Sequence, residues 1–250
     1  MNKFGKYYTK LTGSEEGNEK YSVELKKSIE KAGQLCLDNL KNNSFAPIMM
    51  MGNIQSGKTR AFIGLMSLCF DNDFDMTIIL TKCSTALVKQ TVSRMTSEFD
   101  CFRNGNATVG EVVAQDILEI DFRSCETMED KENAVKKFLR RYKGKKRIIV
   151  VKKQADNVDR LNLFIEAIVK YEYYKRLLIV DDEADITSIG YEKFKGQEQL
   201  SLRRISGAIN KMRKSLHSQI EHVLMQVTAT PYALYLQPEN IDLCDNKTIR

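Results

Sequence analysis

The sequence predicts an α/β fold with a mostly parallel central sheet flanked by helices. Five short runs rich in β-branched residues are almost continuously apolar, which is typical of strands buried on both faces of a parallel sheet. Segments with helical patterning lie between these runs, so right-handed β–α–β crossovers are expected. The runs are Ile48–Met51, Thr77–Leu80, Ile148–Val151, Leu177–Val180 and Val223–Val227.

Six segments have the apolar spacing of helices, and one of them precedes the first strand. They are Tyr21–Asn42, Gly57–Phe70, Ala86–Phe99, Thr127–Tyr142, Asp156–Lys170 and Leu200–Leu216. The stretch around Thr108–Ile120 is left unassigned. We predict an N-terminal helical extension over residues 1–43, packed on a core domain over residues 44–250.

The composition is that of an ordinary globular protein, with 42% hydrophobic and 29% charged residues. No segment has the roughly 18–20 apolar residues of a membrane span. The six cysteines are widely spaced, with no C-x-x-C pair, which favours the reduced thiols of a cytoplasmic protein over disulfides or a zinc site. Residues 134–153 contain ten basic residues and no acidic one. Such a block can contact a polyanion or simply solvate helix faces, and composition does not decide between them.

The octapeptide GNIQSGKT, Gly52–Thr59, follows the first predicted strand and opens a predicted helix. Its backbone N–H groups would form an anion nest at the positive end of that helix. Lys58 would reach the β- and γ-phosphates of a nucleotide, and the Thr59 hydroxyl would coordinate Mg²⁺. The predicted nucleotide-binding residues are Gly52, Asn53, Gln55, Ser56, Gly57, Lys58 and Thr59.

The run LLIVDDEAD, Leu177–Asp185, is a buried strand that ends in carboxylates. This places the acids at the carboxyl edge of the sheet, where α/β folds bind ligands. Asp182 can hold Mg²⁺ through its water shell, and Glu183 can polarise the water that attacks the γ-phosphate. Asp181 could share the metal role, an alternative that the sequence leaves open. The predicted catalytic residues are Glu183, Lys58 and Asp182, and the predicted metal ligands are Thr59 and Asp182.

The segment VTATP, Val227–Pro231, ends the last apolar strand. The hydroxyls of Thr228 and Thr230 can bond to the acids of a neighbouring strand. By itself, this segment indicates only a strand end.

These three segments, in this order, resemble motifs I, II and III of the helicase-type motor ATPases of superfamily two. A narrower resemblance, over about residues 48–236, is to the ATPase portion of bacterial proteins that carry the Z-one endonuclease domain. It is carried by GNIQSGKTRAFIGLM, LTKCSTALVKQTVSRM, VDDEAD-x-x-S and VTATPYA. The resemblance implies a RecA-like P-loop domain that binds ATP and Mg²⁺.

The resemblance also implies residue roles in coupling and in nucleic-acid binding. Asp185, Thr228 and Thr230 would couple the nucleotide state to the grip on nucleic acid. The candidates for contact with the nucleic-acid backbone are Thr81, Lys82, Gln90, Arg94, Lys152 and Lys153. DNA is expected rather than RNA, in bacterial restriction or phage defence.

Motors of this superfamily need a second RecA-like lobe that supplies arginine fingers, and we expect no such lobe after Thr230. The chain is therefore expected to be half of a motor, completed by a second lobe in cis or by a partner subunit. It should bind ATP and hydrolyse it weakly. The alternative is a regulatory P-loop ATPase that drives partner assembly without moving on nucleic acid, and a small-molecule kinase is disfavoured.

Overall fold

The computed structural model describes residues 3–13, 21–52, 58–104, 109–171, 174–184, 191–192, 201–202, 204–217 and 220–229. Its strands are β1 (Ile48–Met51), β2 (Met76–Thr81), β3 (Val112–Asp116), β4 (Lys146–Lys152), β5 (Arg176–Asp182), β6 (Tyr191–Glu192), β7 (Ser201–Leu202) and β8 (Glu221–Thr228). Six of them form one all-parallel sheet in the order β1-β8-β5-β2-β4-β3. β6 and β7 form a short antiparallel pair.

Helices cover both faces of the parallel sheet, which confirms the predicted α/β class. One face packs against α1 (Lys6–Thr12), α2 (Val23–Lys41), α3 (Lys58–Asp71) and α4 (Thr85–Glu98). The other face packs against α5 (Met128–Arg141), α6 (Ala155–Lys170) and α7 (Arg204–His217). Short 3₁₀ turns lie at Asp100–Phe102 and Ile117–Glu119. No helix in the described ranges is long and apolar enough to cross a membrane.

The central strands β2, β4 and β5 are buried along their apolar residues, as the continuous apolar runs predict. β1 differs, because it lies at one edge of the sheet and its residues are half-buried or exposed. The opposite edge is β3, which lies in the stretch left unassigned from the sequence. Its sequence VVAQD has only two buried positions, so it lacks the continuous apolar run that marks the other strands.

Helix α1 was not predicted, since seven residues are too few for a helical period to stand out. A carboxylate from another helix holds its N-terminus. Asp71, the last residue of α3, accepts backbone N–H bonds from Gly5 (3.0 Å), Tyr7 (3.1 Å) and Tyr8 (2.8 Å). These are N–H groups that a helix N-terminus cannot satisfy itself. The extension thus packs on α3, while the division of the chain at residue 43 stays a prediction.

Replacing Asp71 with Ala is expected to lower the free energy of unfolding by about 1–3 kcal/mol, because three buried or half-buried donors lose their acceptor. Asp71→Asn, which keeps one side-chain oxygen, should lose less. Urea unfolding of the two variants beside wild type measures the difference. Equal stability of all three proteins would show that the docking of α1 does not depend on this carboxylate.

Candidate functional site

Strand order brings the predicted motifs to the same edge of the sheet. β8 lies between β1 and β5, with Met51 paired to Thr228 and Val227 paired to Asp182. The Gly52 N–H donates to the Thr228 carbonyl at 3.3 Å. The start of the predicted phosphate loop, the buried Thr228 and the acids at the end of β5 therefore converge at the carboxyl edge, where parallel sheets bind ligands.

Helix α3 begins at Lys58, within the last two residues of the predicted phosphate-binding octapeptide. The Lys58 Nζ donates to the Gly52 carbonyl at 2.9 Å, so the lysine reaches back across the loop to its first residue. Several predicted site residues lie outside the described residues, and their roles stay predictions. They are Asn53, Gln55, Ser56, Gly57, Asp185 and Thr230.

Asp181 and Asp182 have different surroundings. Asp181 is buried, and its Oδ1 lies 3.1 Å from the Lys153 Nζ. Asp182 is only partly buried and faces a cavity. Burial raises the pKa of Asp182 above its usual 3.8, with repulsion from Asp181 adding to the effect, while the ammonium groups of Lys153, Lys58 and Lys82 act in the opposite direction. Of the two aspartates, Asp182 is therefore the one placed to meet a ligand.

Glu183 has a left-handed backbone conformation, with φ 53°. Its Oε2 lies 2.5 Å from the Lys82 Nζ, and both side chains are about 40% exposed. The contact is an ion pair without a well-directed hydrogen bond. The predicted base is thus paired with a lysine that was predicted to contact nucleic acid.

A cavity of about 160 Å³ lies between α3 and α4 at this edge. Three predicted catalytic or metal-binding residues line it, namely Thr59, Asp182 and Glu183. Four predicted nucleic-acid contacts line the same cavity, namely Thr81, Lys82, Gln90 and Arg94. Phe62, Leu87 and Thr91 complete its wall. The structure therefore joins two groups of residues that were predicted to have separate roles.

The side chain of Lys153 is fully buried, a position that does not favour the predicted contact with nucleic acid, and that contact stays a prediction. Its Nζ instead contacts the end of β5 and the turn that follows that strand. Lys152 is half-buried, and its Nζ lies 3.5 Å from the Thr85 Oγ1. Its contact with nucleic acid stays a prediction.

The basic block over residues 134–153 does not form one exposed surface. Lys146 donates to the Phe74 carbonyl at 2.6 Å and lies 3.5 Å from Asp75. Arg147 is fully buried, where it donates to Gln115 at 2.7 Å and to the last carbonyls of α5. Because Lys153 is buried as well, the block exposes fewer positive charges than its composition suggests.

Comparisons with known proteins find distant structural similarity alone. No family model matches the chain, and no curated protein matches its sequence. One similar structure is the DUF1998 helicase MrfA bound to DNA, at 11% identity and a TM-score of 0.47 over 90% of this chain and 26% of that one. Another is a nuclease-deletion mutant of the Type ISP restriction-modification enzyme LlaGI in complex with a DNA substrate mimic, at 15% identity and a TM-score of 0.47 over 85% of this chain and 18% of that one.

The chain thus spans about a quarter of the length of the helicase structure and less of the restriction enzyme. At these identities and TM-scores, similarity to either structure does not by itself assign a function. The narrower resemblance to Z-one proteins stays a prediction.

Asp182→Asn is expected to stabilise the ligand-free fold at neutral pH. The raised pKa means that the folded state binds this proton more tightly than the unfolded state does. The resulting cost in stability sets in as pH rises from 3.8 through the raised pKa, and it is fully present above it. Thermal melting at several pH values checks the sign. A less stable Asn variant at pH 7 would mean that the ionised carboxylate makes a net stabilising contact.

Proposed function

We propose that this chain is the nucleotide-binding first lobe, RecA-like in fold, of a superfamily-two-type DNA-dependent ATPase. The whole protein would be a helicase or translocase, in bacterial restriction or phage defence. A second lobe in cis or a partner subunit would complete ATP hydrolysis. One observation carries the proposal, namely the cavity where Thr59, Asp182 and Glu183 meet Lys82, Gln90 and Arg94.

The residues of this cavity fit a magnesium nucleotide. Thr59 offers a hydroxyl and Asp182 a carboxylate, and hard oxygen ligands of this kind are those that Mg²⁺ prefers. Bound Mg²⁺ would neutralise charge on the β- and γ-phosphates. Lys58, now bonded to the Gly52 carbonyl, would turn its ammonium to the phosphates at the N-terminus of α3.

With Asp182 assigned to Mg²⁺, Glu183 is the carboxylate of this cavity that is left to take a proton from water. A carboxylate that orients a water in line with the γ-phosphate contributes through position and through proton acceptance. Its pairing with Lys82 holds it away from that task until the ion pair opens. The pairing would therefore lower further the weak hydrolysis that we expect of the chain without a second lobe.

The same pairing suggests how DNA would stimulate hydrolysis. Lys82 follows β2, and Gln90 and Arg94 lie on the exposed side of α4. A DNA phosphate that binds Lys82 would compete with Glu183 for the ammonium. Phosphate contacts of this kind weaken as salt rises, because counterions are released on binding.

The test is the rate of ATP hydrolysis with single-stranded DNA, double-stranded DNA and RNA, each over a range of salt concentrations. The proposal predicts stimulation by DNA that falls steeply with salt. Stimulation by RNA but not by DNA would show that the polynucleotide ligand is RNA. MgATP binding without stimulation by any polynucleotide, even after a second lobe or partner is supplied, would favour the regulatory ATPase that drives partner assembly.

Lys82→Met is expected to raise hydrolysis in the absence of DNA and to reduce its stimulation by DNA. An exposed ion pair stabilises by at most about 1 kcal/mol, so the rise should not exceed roughly fivefold. Lys89→Met, which removes an exposed lysine from α4, is the matched control. An unchanged basal rate with lost stimulation would limit Lys82 to a DNA contact.

A further inference from the structure

Lys153 lies one residue beyond β4 and is fully buried beneath the turn that follows β5. Its Nζ lies 3.1 Å from the Asp181 Oδ1 and donates to the carbonyls of Asp182 (2.6 Å) and Glu183 (3.0 Å). A lysine ammonium has three N–H donors. Here they meet acceptors on three consecutive residues, two of which belong to the proposed site.

The conformation of Glu183 shows why the turn needs such support. In the described chain, the other non-glycine residues with positive φ are Asn43 and Asp73. Asn and Asp tolerate this region because their short polar side chains bond locally, whereas Glu rarely adopts it. A residue held there persists only when its surroundings determine the conformation.

The two carbonyls that Lys153 holds flank the Cα of Glu183, one on each side. Bonds to both restrict the rotation of the peptide planes around that Cα. They therefore restrain the direction in which the Glu183 side chain leaves the backbone. The third bond, to Asp181, ties the ammonium to the end of β5.

We infer that Lys153 is a positioning residue for the proposed ATP hydrolysis. It acts through the backbone of the turn and keeps Asp182 and Glu183 directed at the cavity. The inference rests on the proposed function, because it gives Lys153 a role in that same site. Nothing in the sequence pattern around Lys153 distinguishes it from a solvated surface lysine.

A different role for Lys153 would be to neutralise the buried Asp181 and nothing more. Lys153→Met alone cannot separate the two roles, because it leaves a buried carboxylate without its cation and destabilises the fold. The double variant Lys153→Met/Asp181→Asn removes both charges. The double variant should regain stability whichever role is correct. The turn after β5 should regain its conformation only if Lys153 is not needed to hold it.

The experiment compares wild type, both single variants and the double variant. Three quantities are measured: the melting temperature, the Kd of a non-hydrolysable ATP analogue in Mg²⁺ and in EDTA, and single-turnover hydrolysis. We expect the double variant to melt above Lys153→Met and to match wild type in EDTA. Its affinity in Mg²⁺ and its turnover should stay about 10- to 100-fold below wild type, as for other groups that orient a metal ligand.

A double variant that regains wild-type affinity in Mg²⁺ and wild-type turnover would overturn the inference and leave Lys153 as a partner of Asp181 alone. If the double variant does not recover its melting temperature, a cycle with Glu183→Gly decides. Glycine adopts positive φ freely, so Lys153→Met should lower the melting temperature less in that background. Additive shifts would overturn the inference. Wild type without any Mg²⁺-dependent binding would overturn the proposed function instead.

Discussion

Glu183→Gln is expected to reduce ATP hydrolysis by about 100-fold or more while leaving MgATP binding intact, because the amide cannot accept the proton of the attacking water. The structure places Glu183 beside Asp182 on one cavity wall, at the end of a buried strand. Gln has nearly the same shape as Glu, so the turn should keep its conformation. The variant separates the proposed proton-accepting role of Glu183 from the proposed metal-binding role of Asp182.

Single-turnover hydrolysis and the Kd of the non-hydrolysable analogue are measured on the same preparations. Glu166→Gln, an exposed glutamate of α6, controls for the loss of one negative charge. Because Glu183 also pairs with Lys82, its variant should bind DNA at least as tightly as wild type. A Glu183→Gln protein that keeps its turnover would remove Glu183 as the base and move that role to another cavity residue.

The fold was predictable where local pattern and tertiary environment agree. The runs at β2, β4 and β5 are apolar because both of their faces are covered, and periodicity alone reveals them. β3 and α1 were missed for the opposite reason. β3 is an edge strand with a short, partly polar sequence, and α1 depends on Asp71, a residue more than sixty positions away.

The candidate site shows the same division. Lys58, Thr59 and Asp182 belong to local motifs whose chemistry can be read from residue type and spacing. Lys153 belongs to no such motif, because its contact with Asp181 comes from the strand order, in which β2 alone lies between β4 and β5. Strand order is a property of the whole sheet, and no spacing in the sequence specifies it.

The pairing of Lys82 with Glu183 could not be predicted for a related reason. The two residues directly follow neighbouring strands, β2 and β5, and come together at the sheet edge. A resemblance to motor ATPases assigns each residue to a separate role. Their proximity adds that Lys82 can pair first with the Glu183 carboxylate and then with the nucleic-acid phosphate that it is proposed to bind.

Lys58→Ala is expected to weaken MgATP binding roughly 30- to 150-fold, because hydrogen bonds from a charged donor contribute about 2–3 kcal/mol in total here. Lys58 is the one basic residue of the predicted loop GNIQSGKT, and it is the first residue of α3. Its bond to the Gly52 carbonyl shows that it reaches across the loop entrance. Alanine retains the helix and removes only that reach.

Titration of a fluorescent ATP analogue into wild type and Lys58→Ala measures the difference, with Lys89→Ala as an exposed-lysine control. The melting temperature should change little, because the bond that is lost is only partly buried. Equal binding by the two proteins would mean that backbone N–H groups alone hold the phosphates. In that case Lys58 would not contact the γ-phosphate, and the lysine of the motif would need a different explanation.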